Sequence, residues 1–148
     1  CLYKLSYDYD KDQNETNFTI DKIQYFLEEY PRTSHKIECE IMITDLRSTL
    51  AKKEIESGKL YLRTEKYDSA LIYFNLVLIE YYDTKHYDDG LFYIVLSYIL
   101  NDQIDEADNF LSNNINNFIS EKRLNESKQL ILDSKNGKKN ISFFKFIK

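Results

Sequence analysis

Apolar residues recur at threes and fours along most of this chain, the period of helices that bury one side. Residues 1–9, CLYKLSYDY, place Leu2, Leu5, Ser6 and Tyr9 on one helical face. Eight polar residues, Asp10 to Asn17, interrupt the pattern, and Thr16 or Asn17 is positioned to cap a second helix built on Phe18, Ile20, Ile23, Phe26 and Leu27. That helix should end at Tyr30, because the residue before a proline avoids helical backbone and Pro31 follows. From His35 to about Lys66, Ile37, Ile41, Ile43, Leu46, Leu50, Ile55, Leu60 and Leu62 predict one long helix or two nearly collinear ones. Tyr67-Asp68 marks a turn into a helix carrying Ala70, Leu71, Phe74, Val77 and Leu78, which ends at Tyr82-Asp83-Thr84. Asp88-Asp89 is placed to cap a helix through Leu91, Ile94, Val95 and Tyr98; Asn101-Asp102 turns the chain into a helix from Ile104 to about Ile119. Ser120 opens a last helix, with Gly137 as its stop.

These helices pair, and the pairs resemble one another. Shifts of 51 and 37 residues bring Thr19, Ala70 and Ala107 into one column, and align Ser6-x-x-Tyr9 with Gly58-x-x-Tyr61 and Val95-x-x-Tyr98. In the middle pair, Gly58, Tyr61, Ala70 and Phe74 stand where a tetratricopeptide repeat has small, Tyr, Ala and Phe. A small residue lets two helices approach, and the rings fill the groove beside it. The pattern predicts an all-α stack of tetratricopeptide-like repeats over 1–134, with pairs at about 1–30, 35–82 and 88–119 and a single helix at 120–134. Residues 135–148 read as a solvated, flexible basic tail.

Composition narrows the chemistry. With 148 residues, 43% apolar and 30% charged, the chain is one globular domain or part of one, and 3 Gly with 1 Pro argues against a hairpin-rich β protein. Residues 135–148 hold five lysines and no acid, so the −5 of the whole chain leaves −10 on residues 1–134. An acidic body does not suit nucleic acid, which needs a clustered basic footprint. No apolar run approaches the roughly 20 residues of a membrane span; Leu91–Leu100 is about half of that.

No nucleophile elbow, zinc-protease, P-loop or dinucleotide motif occurs, so the sequence predicts neither catalysis nor a cofactor. Asp8-x-Asp10-x-Asp12 begins like a calcium loop, but Gln13 replaces the glycine and Thr19 the closing glutamate. His35 and Cys39 lie one turn apart and are two ligands only. What remains is surface: thirteen tyrosines suit protein interfaces, and Tyr3, Tyr7, Tyr25, Tyr73, Tyr87 and Tyr93 are candidate contacts, Tyr73, Tyr87 and Tyr93 foremost.

The order of features is also specific. LYKLSYDY, a polar insertion with Asp12-Gln13 and Thr16, a helix ending EEYPRTS, and a long helix with DLRSTLAKKE resemble the BamD/YfiO outer-membrane assembly lipoproteins over roughly residues 2–111. GKLYLRTEKYDSALIYFNLVLIEYYDT continues the pattern, with Tyr82 where that family has proline. The resemblance implies a non-catalytic scaffold at the periplasmic face of the bacterial outer membrane, lipid-anchored when full length. Its partners would be unfolded β-barrel precursors and the periplasmic domains of the barrel insertase, the latter docking on residues 53–119. Because the chain opens inside what resembles a later repeat, it reads as truncated at the N-terminus. Cys1 then has two readings, a lipidated mature start or a buried cysteine at a truncation point; the second fits better, since the family's acylated cysteine precedes a flexible lead-in.

Overall fold

A computed structural model describes residues 13–137 and 143–148, and helices are the only regular elements among them. The Leu2, Leu5, Ser6, Tyr9 face, the acidic triplet 8–12, and Cys1, Tyr3 and Tyr7 lie outside the described residues. In chain order the helices are α1 (Gln13–Glu29), α2 (Lys36–Arg63), α3 (Tyr67–Glu80), α4 (Tyr87–Leu100), α5 (Ile104–Asn114) and α6 (Glu121–Lys135). One 3₁₀ turn, Ile115–Asn117, follows α5, and another, Phe144–Phe146, lies in the final segment. The chain forms two compact units, divided between Lys53 and Glu54, so α2 contributes its first part to one and its last turns to the other. The sequence had suggested a single repeat domain over 1–134.

In the first unit, α1 starts at Gln13, upstream of the expected Thr16 or Asn17 cap. Its inner stripe is Thr16, Thr19, Ile20, Ile23 and Leu27, one face at helical spacing, which leaves Phe18 and Phe26 exposed. Buried threonine is tolerated because the Thr19 hydroxyl donates to the Glu15 carbonyl one turn back, at 2.8 Å. The expected one or two helices between His35 and Lys66 are a single helix, Lys36–Arg63, and its first turns expose Ile37 and Ile41 of the apolar pattern.

The second unit is built around α4. Eleven of its fourteen residues are buried, because α3, α5 and α6 all pack on it. α3 instead buries Ala70, Phe74 and Val77 and turns Asp68, Ile72, Asn75 and Ile79 outward. Gly58 of α2 meets Phe74 so closely that a Cβ there would sit 2.4 Å from the ring. Such an approach excludes any side chain, which is what a small residue at a helix crossing provides.

Both sequence shifts reappear as repeated turns. At a shift of 37, the turn after α2 matches the turn after α4. Glu65 and Asp102 both adopt φ of 57°, and the amides of Lys66 and Gln103 donate to the Tyr61 and Tyr98 carbonyls, each at 2.9 Å. At a shift of 51, the turn before α2 matches the turn before α4. Thr33 and Thr84 amides donate to the Tyr30 and Tyr81 carbonyls, while their hydroxyls accept from the His35 and His86 amides. His35 then pairs with Glu38 and His86 with Asp89. These are hydrogen-bonded units recurring at the junctions of a helical repeat, so the irregular periods reflect helix length, α2 being twice as long as α4.

Candidate protein-binding surfaces

Two surfaces of this chain have the chemistry of protein recognition, and a third region is an internal polar junction. In the first unit, Phe26 and Tyr30 face each other at 5.3 Å, and with Pro31, Arg32 and Thr33 they line an open cleft of about 420 Å³. Tyr25, 60% exposed, lies beside it in sequence, one residue before Phe26. Pro31 creates this cleft by stopping α1, which presents the last aromatic turn instead of continuing it. In the second unit, the outer stripe of α3 offers Ile72 and Ile79, 69% and 68% exposed, two turns apart on one face.

The third region is the junction of α4 and α6. Asp88, almost fully buried, accepts the amides of Ile119, at 3.1 Å, and Ser120. Ser120 caps α6 by accepting the Arg123 amide. The sequence reading gave Asp88 and Asp89 to the start of their own helix; neither caps it, and His86 precedes it without a side-chain cap. The Asp88 carboxylate points across the unit, where amides at another helix start attract anionic charge. Asp89 takes hydrogen bonds from His86 Nδ1 at 3.1 Å and Arg123 Nε at 2.9 Å. Burial opposes ionisation of Asp89, but the His86 and Arg123 contacts outweigh it and hold the carboxyl below its ordinary value. Arg123 also donates to Glu126 at 2.8 Å and lies 4.6 Å from the centre of the Phe92 ring.

Next to this junction the segment 143–148 is packed, in contrast to the solvated tail predicted over 135–148. Phe143 and Ile147 are buried, 2% and 1% exposed. Arg63 Nη1 donates to the Ile147 carbonyl at 2.7 Å and Tyr93 donates its hydroxyl to the Phe146 carbonyl at 2.9 Å. The lysine count of the tail concealed these apolar residues. The run Phe143-Phe144-x-Phe146-Ile147 was the available signal, and Arg63 and Arg123 carried none.

Among the residues singled out for repeat packing, Gly58 and Phe74 touch, Tyr61 stacks on Tyr73 at 5.1 Å, and Tyr98 lies 6.3 Å from Phe110. The last two pairs are equivalent at the shift of 37. Ala70, Val95 and Ala107 are fully enclosed. Ser6 and Tyr9 lie outside the described residues. Of the three leading tyrosine contacts, Tyr87 is half-buried and Tyr73 is engaged with Tyr61. Tyr93 is not an open contact: its ring stacks on Phe74 at 5.2 Å, and burial pushes its phenol up to about 12. Among the described residues, no group of three His, Cys, Asp or Glu could hold a metal ion, and no helix is long and apolar enough to cross a membrane.

Two curated proteins are similar to this chain. "Outer membrane protein assembly factor BamD" of Rickettsia prowazekii (strain Madrid E) is 29% identical over 110 residues, covering 74% of this chain and 44% of that protein. The protein of that name from Caulobacter vibrioides is 25% identical over 99 residues, covering 67% of this chain and 32% of its own. The chain thus spans less than half the length of these relatives. The family model described as YfiO, outer membrane lipoprotein, matches residues 2–111, most of the chain. With the repeated turns and the Gly58–Phe74 crossing lying inside that stretch, this chain belongs to the YfiO outer membrane lipoprotein family.

Proposed function

We propose that this chain is a non-catalytic binding scaffold in the assembly of β-barrel proteins at the bacterial outer membrane. The observation that carries the reading is the family match over residues 2–111, together with relatives whose names are those of outer membrane assembly factors. The surfaces agree with binding: an aromatic cleft in the first unit, and an apolar helix stripe in the second. In this reading the protein acts at the periplasmic face of the outer membrane, held there by a lipid in the full-length form. The first unit receives unfolded barrel precursors, and the region 53–119 docks the periplasmic domains of the insertase, with Ile72 and Ile79 as its apolar contacts. The work is positioning: affinity comes from burying the exposed stripe and cleft, and no bond in the client is made or broken.

Affinity capture of tagged protein from native outer membranes tests this. Co-recovery of a large barrel protein with periplasmic domains is expected. Recovery of soluble proteins alone would refute the assembly role and leave a general tetratricopeptide adaptor.

A further inference from the structure

The segment 143–148 is gripped by its main chain as well as by its side chains. Arg63 and Tyr93, distant in sequence, each donate to one of its carbonyls. Two apolar anchors four residues apart, Phe143 and Ile147, enter the unit, while Phe144, Lys145 and Lys148 face out. Phe146 lies edge-on against Phe92 at 5.2 Å. This is the geometry of a bound peptide: carbonyl acceptors fix the register and side-chain wells select the sequence.

The groove also extends beyond its occupant. Between α6 and the segment lies a cavity of about 500 Å³, with Leu130, Phe143 and Phe146 as apolar wall and Glu126, Gln129 and Asp133 along the α6 side. Asp133 and the Arg123-bonded Glu126 stand on that side and Lys145 on the other, so opposite charges face each other across the cavity. A helix packed as an integral part of a repeat would fill this space instead of leaving it open.

We propose that residues 143–148 are an intramolecular ligand, a short aromatic and basic segment seated in a peptide-binding groove of the second unit, where it competes with a segment of like chemistry from another chain. Covalent attachment gives the resident segment an effective concentration that a free competitor must exceed, so the groove is closed by default. Opening it frees the Arg63 guanidinium and the Tyr93 hydroxyl from their carbonyl partners and uncovers the wells vacated by Phe143 and Ile147. This inference is independent of the assembly role.

A fluorescently labelled peptide of residues 142–148, SFFKFIK, titrated into the full chain and into its Ile147→Asp variant, tests the proposal. The variant should bind at least about tenfold more tightly than the parent, since its own segment no longer occupies the groove. Arg63→Ala in the variant background should abolish most of that gain. Equal binding by parent and variant, or none by a variant that keeps its helical circular dichroism, overturns the proposal. Should Ile147→Asp fail to fold, the parent decides. The amides of Phe146 and Ile147, bonded to the Phe143 and Phe144 carbonyls, should exchange with deuterium faster in millimolar unlabelled peptide while α4 amides do not change. Unchanged exchange at Phe146 and Ile147 refutes it.

Discussion

Helices α3 and α4 have the same length, fourteen residues, and the same number of apolar residues, ten, yet one is enclosed and the other carries two isoleucines into solvent. Sequence periodicity hardly separates them, because each is apolar nearly all round. The difference lies in neighbours. Three helices pack on α4, whereas α3 has α4 on one side and the last turns of α2 at Gly58 on another. An all-apolar helix with a bare side has either lost a neighbour or awaits one, and in a repeat protein a partner can supply it. If that is correct, substitutions in the two helices should separate stability from binding.

The largest effect belongs to α4. Phe92→Ala empties a fully enclosed ring site that also supports Arg123 and Phe146, and it should cost about 3–5 kcal/mol in urea unfolding. A cost below about 1 kcal/mol would mean that α4 is less enclosed than its burial indicates. Next is the junction that α4 controls. Asp88→Ala removes the buried acceptor of two amides at the entry to α6 and should cost about 1–2 kcal/mol. Hydrogen exchange should then accelerate first at the start of α6, ahead of α3.

Asp89 sharpens the same point by pH. Its folded-state carboxyl ionises below its unfolded value, so its contribution is present above the unfolded pKa and is lost as pH falls through the folded one. Asp89→Asn should flatten that acid limb of the stability profile. On the side of α3 that does have a neighbour, Gly58→Ala places a methyl inside the Phe74 ring, for a cost of about 1–3 kcal/mol. Phe74→Leu should recover part of that loss in the double variant, because the two positions share one contact.

Much of this arrangement is legible before any coordinates. The small residue, Tyr, Ala and Phe of the middle repeat define a helix crossing by size alone, and the shifts of 51 and 37 follow from where they recur. The remainder depends on long-range geometry. Asp88 and Asp89 look like caps for their own helix because local rules see only the next turn, while the amides that Asp88 satisfies and the Arg123 side chain that Asp89 binds lie more than thirty residues away. Thr16 looks like a cap for the same reason and is an inner-face residue. Tyr93 looks like an interface residue until its hydroxyl is found on the Phe146 carbonyl, and that carbonyl sits in a stretch whose charge read as solvated. Tertiary partners overrode the local signal in each case.

The smallest effect on stability is the most informative for function. Ile72→Ser and Ile79→Ser alter side chains already in water, so together they should shift unfolding by no more than about 0.5 kcal/mol each. In α4, serine at Ile94 or Ile99 would place a hydroxyl in a closed apolar site at several times that cost. The same pair of changes on α3 should sharply reduce recovery of the partner proposed above in affinity capture, because an apolar stripe is where an interface gains most per residue. Undiminished recovery would move the docking surface elsewhere. Destabilisation of 2 kcal/mol or more would show instead that α3 is covered within the protein, and the contrast with α4 would then vanish.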